Sequence, residues 1–234
     1  MDKVLVVTGG SRGIGAACAR RAAAAGWRVM VNYRADAQAA AQVVADIAAM
    51  GGQAVAVSAD VAVEADVVAL FDAAEVAFGP VTGLINNAGI VQLASPLADM
   101  SLARWQQTFD TNATGSFLVA RDAIRRMLAQ GQGGAIVNMS SMAAALGAPH
   151  EFIDYAASKG AVEAMTIGLS REVAGKGIRV NSIRPGLIDT DMQRGSGEAD
   201  RLGRLIGTVP MGRIGRATEV AEAAIWLLSD AASY

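Results

Sequence analysis

The chain opens with VLVV (residues 4–7), TGGSRGIG (residues 8–15) and AACARRAAAA (residues 16–25). The apolar run predicts a buried strand, the glycine-rich segment a tight turn and the alanine-rich run a helix. This order is typical of a dinucleotide-binding unit, because glycine lets the backbone approach a pyrophosphate and the helix N-terminus offers free amides. The spacing of Gly9, Gly13 and Gly15 differs from G-x-G-x-x-G, and a tight turn without a ligand is the alternative interpretation.

Strand and helix patterns alternate along the rest of the chain. We predict further strands at residues 28–33, 53–58, 83–86, 135–139 and 179–183. The intervening helices are predicted at residues 37–50, 64–78, 101–130 and 152–175, with a last one at residues 218–228. Such alternation specifies a parallel sheet with helices on both faces. The sequence therefore predicts an α/β fold, a Rossmann-type doubly wound parallel sheet in a single domain over residues 1–234.

Polar or glycine-containing clusters follow four of these strands, at residues 8–15, 32–34, 60–61 and 86–89. The carboxyl ends of parallel strands lie at one edge of a sheet, where ligands bind in doubly wound folds. The fifth predicted strand delivers Ser140 and Ser141 to the same edge. We therefore expect one ligand crevice there.

The end of the second strand bears on the choice of cofactor. A dinucleotide fold that binds NAD places an acidic residue there to hold the ribose hydroxyls. Here the strand ends Asn32-Tyr33-Arg34, and Arg34 together with Arg12 can hold a 2′-phosphate. This favours NADP. NAD stays possible, because Asp36 is close and both arginines can simply face solvent.

Tyr155 and Lys159 stand four residues apart in a predicted helix and so project from one face. A tyrosine titrates near ~10, and a nearby ammonium favours the phenolate and lowers that value. The pair is therefore a candidate acid–base device, and Ser141 can hold a substrate oxygen against the tyrosine. A surface lysine beside a half-buried tyrosine is the alternative interpretation.

The composition excludes several classes of protein. The formal net charge of −2 argues against a nucleic-acid binder. The single cysteine, Cys18, cannot form an internal disulfide, and the single histidine, His150, cannot form a metal cluster, so we predict no metal site. Neither a secretory leader before Val4 nor a membrane-length apolar span is visible. We expect a soluble, cytoplasmic protein.

Along essentially its whole length the chain resembles the short-chain dehydrogenase/reductase family. Thr8-Gly-x-x-x-Gly-x-Gly15 is similar to the cofactor turn of that family, and Asn86-Asn-Ala-Gly89 to its second fingerprint. Pro185-Gly186 is similar to the segment that touches the nicotinamide, together with the nearby Ile188 and Thr190. The family's catalytic tetrad is matched by Asn112, Ser141, Tyr155 and Lys159.

The resemblance implies a cofactor site and a chemistry. The implied cofactor-binding residues are Gly9, Ser11, Arg12, Gly13, Ile14, Gly15, Arg34, Asp60, Val61, Asn87, Ala88, Gly89, Tyr155, Lys159, Pro185, Gly186, Ile188 and Thr190.

In the implied mechanism, Tyr155 exchanges a proton with the substrate while hydride moves to or from the nicotinamide. Lys159 holds the nicotinamide ribose and lowers the pKa of Tyr155. Ser141 orients the substrate oxygen, a role for which Ser140 competes, and Asn112 anchors a water that links Lys159 to solvent.

The implied substrate is a small carbonyl compound or alcohol. The segment from Ser140 through Pro149-His150-Glu151 to Tyr155 resembles a sugar (glucose) dehydrogenase-like subgroup, with the 3-oxoacyl-carrier-protein reductases a near neighbour. That reductase activity is one alternative, for which Arg125 and Arg126 can supply a basic docking face. A non-catalytic NADP-sensing protein is another, which the presence of Tyr155 and Lys159 disfavours.

Residues 187–210 are polar and rich in glycine, and we expect a lid over the crevice there, an ordinary surface excursion being the alternative. The resemblance also implies a homodimer or homotetramer built on the helices at residues 101–130 and 152–175. It further implies a seventh, glycine-rich edge strand, whereas the sequence ends at Tyr234 before such a strand.

Overall fold

Six parallel strands form one sheet in this computed structural model, which describes residues 3–194, 197 and 200–234. The strands are β1 (Val4–Val7), β2 (Arg28–Tyr33), β3 (Ala54–Ser58), β4 (Gly83–Asn86), β5 (Gly134–Met139) and β6 (Ile178–Ile183). They lie in the order β3-β2-β1-β4-β5-β6, so the direction of winding reverses between β1 and β4. This reversal creates the crevice of a doubly wound fold at the carboxyl ends of the strands. The predicted single-domain α/β fold is confirmed.

Helices cover both faces of the sheet. In chain order they are α1 (Gly13–Ala24), α2 (Ala37–Ala49), α3 (Glu64–Phe78), α4 (Leu102–Phe109), α5 (Gly115–Gln130), α6 (Ala143–Leu146), α7 (Ile153–Val173), α8 (Asp191–Arg194), α9 (Arg201–Ile206) and α10 (Ala217–Leu228). Buried residues of α1, α2 and α10 form one core with the sheet, and those of α3 and α5 form a second core on the other face. Alternate strand residues point to opposite faces, which explains why the strands are apolar almost throughout.

Local signals set several helix ends where the sequence predicts them. The Asp36 side chain accepts a hydrogen bond from the Ala39 amide, and the Ser101 hydroxyl accepts one from the Arg104 amide, so both residues are N-caps. Gly79 ends α3 with a φ of 86°, a conformation that a residue with a side chain rarely adopts.

The predicted helix at residues 101–130 is divided into α4 and α5 by a π-helical turn, Asp110–Thr114. Asn112 lies in the middle of this turn. Such turns insert an extra residue into the helix and often occur at functional sites. The apolar periodicity of the flanking segments gave no signal for this interruption.

The predicted lid at residues 187–210 contains regular structure. The short strand β7 (Ile188–Asp189) pairs in parallel with β8 (Gly215–Arg216), and α8 and α9 lie between them. Gly195, Ser196, Glu198 and Ala199 of this segment lie outside the described residues, as do Met1 and Asp2.

The helix predicted at residues 218–228 begins one residue earlier, at Ala217. The Glu219 carboxylate accepts the Arg216 amide N–H at 2.8 Å, and this contact makes Arg216 the N-cap of α10. Across the described residues, we find no helix with the length and apolar character needed to cross a membrane.

Candidate active site

The glycine-rich turn after β1 is packed tightly against the end of β4. A Cβ atom on Gly15 would overlap the carbonyl oxygen of Gly9 and lie 2.6 Å from Nδ2 of Asn87. Gly9 and Gly13 have φ values of 60° and 53°. Glycine is therefore required both for the turn conformation and for the close approach of the turn to Asn87.

Hydrogen bonds of neutral groups hold the ends of β1, β2 and β4 together. The Thr8 hydroxyl accepts the amides of Asn87 and Ala88 at 2.9 and 3.0 Å, and Nδ2 of Asn87 donates to the Thr8 carbonyl at 3.0 Å. Asn32 accepts the Gly9 amide through its side chain and the Gly10 amide through its carbonyl. These roles of Thr8 and Asn32 are not predicted from the sequence, although both residues stand in the predicted clusters.

A cleft of about 440 Å³ runs along this edge of the sheet. Predicted cofactor-binding residues that line it are Gly9, Ser11, Arg12, Gly13, Ile14, Arg34, Asp60, Val61, Asn87, Ala88, Gly89 and Thr190. It is also lined by residues that the sequence did not single out as cofactor contacts, namely Asn32, Tyr33, Ala35, Asp36, Ala59, Ile90, Val91, Thr111, Asp191 and Met192. The remaining predicted cofactor residues are Gly15, under the turn, and Tyr155, Lys159, Pro185, Gly186 and Ile188, which lie outside the lining.

Two arginines stand at the end of the cleft formed by β2 and β3. Arg12 is exposed at the start of α1. Nη1 of Arg34 lies 3.6 Å from Oδ2 of Asp60, with side-chain exposures of 60% and 31%. This is a loose, solvent-exposed ion pair, which contributes little to stability and leaves the guanidinium accessible to another anion.

Tyr155 and Lys159 project from α7 beside the end of β5. Nζ of Lys159 donates to the Met139 carbonyl at 2.8 Å and lies 5.6 Å from the centroid of the Tyr155 ring. Lys159 is only 3% exposed, and this burial lowers its pKa to about 8. Burial raises the pKa of the Tyr155 hydroxyl, and a hydrogen bond with the Ser141 side chain opposes the rise.

These pKa shifts differ from the sequence-based expectation. Lys159 was expected to lower the pKa of Tyr155, but its ammonium points to the Met139 carbonyl and the burial of Tyr155 outweighs other effects. Tyr155 is therefore a protonated phenol at neutral pH, held beside a hydroxyl and an amine.

The two adjacent serines have different surroundings. Ser140 is 2% exposed and donates from its hydroxyl to Oε1 of Glu163 at 2.6 Å. The Ser141 hydroxyl lies by Tyr155 and accepts the Ala143 amide at 3.1 Å. Of the two candidates, Ser141 is therefore the one beside the tyrosine.

Asn112 connects the cleft to α7. Its side-chain amide accepts the Ile90 N–H at 2.8 Å and donates to the Ile90 carbonyl and to the Ser158 hydroxyl at 2.9 and 3.1 Å. A Cβ atom on Gly89 would lie 3.2 Å from Oδ1 of Asn112 and 3.4 Å from Nζ of Lys159. Gly89, which lines the cleft, therefore lies next to both Asn112 and Lys159, with little space for a side chain between them.

The segment after β6 links the two sides of the site. The Pro185 carbonyl accepts the Met142 amide at 3.0 Å, next to Ser141. At the other end, a Cβ atom on Gly13 would lie 3.3 Å from Cγ2 of Thr190. Gly186 and Ile188 lie between these anchors, so the predicted segment spans from the serine to the glycine-rich turn.

Charged side chains that the motifs do not include surround the start of α7. Asp154 is 1% exposed and binds Arg104 at 2.9 Å and the Thr108 hydroxyl at 3.1 Å. Glu151 binds Arg201 at 2.7 Å and also Arg204, which attaches α9 to the segment just before α7. Burial favours the neutral acid, but the two arginines outweigh it and keep the pKa of Glu151 below its usual value.

Sequence reasoning missed these pairs because charge alternation in the sequence does not reveal contacts between residues fifty positions apart. Among the described residues, no three His, Cys, Asp or Glu side chains come together as metal ligands would.

The chain is similar to several known proteins over nearly its whole length. Residues 9–234 match the family described as enoyl-(acyl carrier protein) reductase. The chain is 48% identical to an uncharacterized oxidoreductase, YgfF, of Escherichia coli, covering 99% of this chain and 94% of the relative. It is 45% identical to 3beta-hydroxysteroid dehydrogenase 1 of Eggerthella lenta (99% and 88% covered) and 38% identical to glucose 1-dehydrogenase 2 of Bacillus subtilis (99% and 90% covered).

Two solved structures share the fold throughout. A short-chain type dehydrogenase/reductase from Mycobacterium marinum superposes with a TM-score of 0.93 at 36% identity, covering 99% of this chain and 90% of the other. A 3-ketoacyl-(acyl-carrier-protein) reductase from Brucella melitensis, complexed with NADH, gives a TM-score of 0.90 at 32% identity, covering 99% and 92%. Motifs, site geometry and relatives agree, and the chain belongs to the short-chain dehydrogenase/reductase family of oxidoreductases.

Proposed function

We propose that this protein is an NADP-dependent oxidoreductase that transfers hydride between the nicotinamide and a carbonyl or alcohol substrate, with Tyr155 as the general acid or base. One observation carries the proposal: Lys159 lies beside Gly89, which lines the cleft, and Tyr155, one helical turn from Lys159 on α7, has a hydrogen bond with Ser141. A phenol, a hydroxyl and an amine near a cleft that the glycine-rich turn lines suit proton exchange with a substrate oxygen.

The cleft fits a dinucleotide. The backbone of the glycine-rich turn, which lines the cleft at Gly9, Ser11 and Gly13, and the N-terminus of α1 would hold the pyrophosphate, as glycine turns of this fold do. Asp60 and Val61 would flank the adenine, and Asn87, Ala88 and Gly89 would lie along the ribose side. The residues from Pro185 to Thr190 would contact the nicotinamide end, and Lys159 would hold the ribose there. The bound nicotinamide supplies or accepts the hydride.

The protonation states favour Tyr155 as the acid in carbonyl reduction. Because burial raises its pKa, the phenol carries its proton at neutral pH and can donate it to a carbonyl oxygen held by Ser141. Lys159, with a pKa of about 8, is mostly charged at pH 7 and can return a proton to Tyr155. Asn112 fixes the spacing of Ile90 and α7 and, in this proposal, anchors a water next to Lys159.

We further propose that the protein binds NADP in preference to NAD. Arg34 has a weak partner in Asp60 at 3.6 Å, and Arg12 is exposed at the same end of the cleft. A 2′-phosphate would give Arg34 a charge-assisted, bidentate contact in place of that loose pair. Asp36 is occupied as the N-cap of α2, which reduces its availability to a ribose hydroxyl.

We propose that the substrate is a small carbonyl compound or alcohol. The relatives act, by their names, on a steroid, on glucose and on a 3-ketoacyl carrier protein. For this chain the last of these finds less support, because Arg126 is bound by Asp72, Glu75 and Asp122, which leaves the exposed Arg125 as the arginine of the predicted pair that can contribute to a docking face. A cofactor-sensing role without turnover is opposed by the intact Tyr155 and Lys159.

A homodimer or homotetramer through α5 and α7 is also part of the proposal. Phe117 on α5 is 46% exposed and Ile167 on α7 is 55% exposed. Large apolar side chains on two long helices support packing of those helices against another subunit.

The proposed function is tested by the oxidation of NADPH, and separately of NADH, with a panel of aldehydes, ketones and cyclic ketones. We expect turnover with NADPH, and a lower kcat/KM with NADH. Arg34→Ala should lower kcat/KM for NADPH by about tenfold and leave NADH within about twofold, because only NADPH carries the phosphate. Tight binding of NADPH without turnover of any compound would instead favour the sensing role.

A further inference from the structure

Glu163 lies on α7 one helical turn after Lys159, and its carboxylate has two partners from different strands. Oε1 accepts the Ser140 hydroxyl at 2.6 Å. Arg184 donates from Nε to Oε1 at 2.5 Å and from Nη2 to Oε2 at 2.6 Å. The contact with Arg184 is thus bidentate, the geometry that gives an arginine–carboxylate pair its directionality.

The two partners stand directly before residues of the candidate site. Ser140 precedes Ser141, whose hydroxyl contacts Tyr155. Arg184 precedes Pro185, whose carbonyl holds the Met142 amide at 3.0 Å, and the Ser140 amide donates to the Ile183 carbonyl at 2.8 Å. One carboxylate therefore joins α7 to the ends of β5 and β6, the three elements that carry the tyrosine, the serine and the proline–glycine turn.

The carboxylate is ionised and mostly shielded from solvent. Its side chain is 15% exposed, while Arg184 is 52% exposed. The hydrogen bonds from Arg184 keep the pKa of Glu163 below its usual value. A half-exposed ion pair alone contributes little to stability, but a bidentate pair with a buried third partner fixes geometry.

We infer that Glu163 is a positioning residue for the proposed reaction, holding Ser141 and the Pro185–Gly186 turn at fixed places relative to Tyr155. The inference rests on the proposed function and adds a residue to it. Nζ of Lys159, also on α7, donates to the Met139 carbonyl and so holds the last residue of β5. Together, Lys159 and Glu163 hold residues 139–141 against α7. The position of Ser141 matters because misplacement of a reacting group by about 1 Å can lower the rate by about 10²-fold.

The test is Glu163→Gln, which keeps the shape and the acceptor for Ser140 but removes the charge. Glu75→Gln is the matched control, because Glu75 also binds an arginine, Arg126, at 2.5 Å, on helices α3 and α5 away from the site. Binding of NADPH and of 2′,5′-ADP, which lacks the nicotinamide, is measured by titration. The values of kcat and KM are measured with the carbonyl compound that the wild-type protein reduces fastest.

We expect Glu163→Gln to lower kcat by about 10- to 100-fold and NADPH affinity several-fold, while 2′,5′-ADP binding stays within about twofold. Glu75→Gln should change none of these quantities. Arg184→Gln should reproduce the defect, and the double variant should be no worse than either single variant, since both break one contact.

Three results would overturn the inference. One is wild-type kcat and NADPH binding in Glu163→Gln. Another is equal weakening of NADPH and 2′,5′-ADP with a lowered unfolding temperature, which would indicate general loss of structure. The third is a wild-type protein that binds neither NADPH nor NADH, which would overturn the proposed function as well. The first two results leave the proposed function standing, so failure of the inference can be distinguished from failure of the proposed function.

Discussion

The two sides of the site are built by different physical means. On the nucleotide side, formed by the loops after β1, β2, β3 and β4, the contacts that hold the strand ends together are mostly between neutral groups. Thr8, Asn32 and Asn87 bind backbone amides and carbonyls at 2.7–3.2 Å. On the proton side, formed by α7 and the ends of β5 and β6, the contacts that hold the elements together are made by buried or partly buried charged side chains. These are Lys159, Asp154, Glu151 and Glu163.

The difference shows how each side can be recognised. Neutral contacts between strand ends need glycine and small polar residues at fixed spacings, so the nucleotide side has a local sequence signature. A buried charge instead needs a partner, and the partner comes from wherever the fold brings one. The proton side is therefore more sensitive to single charge changes, and the predictions below test that sensitivity, the largest effect first.

The largest effect is expected from Arg104→Ala. Asp154 is 1% exposed and would keep only the Thr108 hydroxyl and backbone contacts once its arginine is removed. Leaving a buried carboxylate without its charge partner costs about 3–5 kcal/mol. We expect the free energy of unfolding, measured in urea, to fall by about that amount.

Arg21→Ala is the matched control. Arg21 also binds a carboxylate, Glu222, at 2.7 Å, but with side-chain exposures of 40% and 62%. An exposed pair of this kind contributes about 0.2–1 kcal/mol. Equal losses for the two variants would contradict the account of the proton side as one held by buried charge.

A smaller effect is expected in the pH dependence of stability. Burial lowers the pKa of Lys159 from 10.5 to about 8 in the folded protein. Between these values the unfolded chain binds more protons at this residue than the folded chain, so stability rises with pH. Below pH 8 both states are charged and the burial penalty is fully present.

Relative to Lys159→Met, the wild-type protein should therefore gain about 2 kcal/mol of unfolding free energy between pH 7 and pH 10. Tyr155, whose pKa is raised, adds an opposite trend only above its ordinary value of 10.0. Urea unfolding of both proteins at intervals of pH measures the difference. Parallel curves would mean that Lys159 is not buried as a charge in the folded state.

The sequence predicted the nucleotide side in detail, because its signals are local. The bounds of β1, β2 and β4 were predicted as the structure has them. The match to Ser141, Tyr155 and Lys159 also came from short spacings along one segment. The role of Thr8 in joining β1 to β4 was missed, since hydrogen bonds across eighty residues leave no pattern.

The charged contacts of the proton side could not be predicted for the same reason. Arg104 and Asp154 are fifty positions apart, as are Arg201 and Glu151, and Arg184 is twenty-one from Glu163. Each of these residues has the sequence appearance of an ordinary surface charge. The π-helical turn at Asn112 was missed too, because one extra residue inside a helical segment leaves no distinct pattern in the sequence.

The most direct test of the central claim follows deuterium from NADPH labelled at C4 into the product, in the wild-type protein and in Tyr155→Phe. We expect the wild-type protein to transfer the label to the carbonyl carbon. Tyr155→Phe should bind NADPH with an affinity within a few-fold of the wild-type value but transfer the label about 10²- to 10⁴-fold more slowly, because the substrate oxygen lacks its proton donor. Transfer by Tyr155→Phe at the wild-type rate would contradict the account.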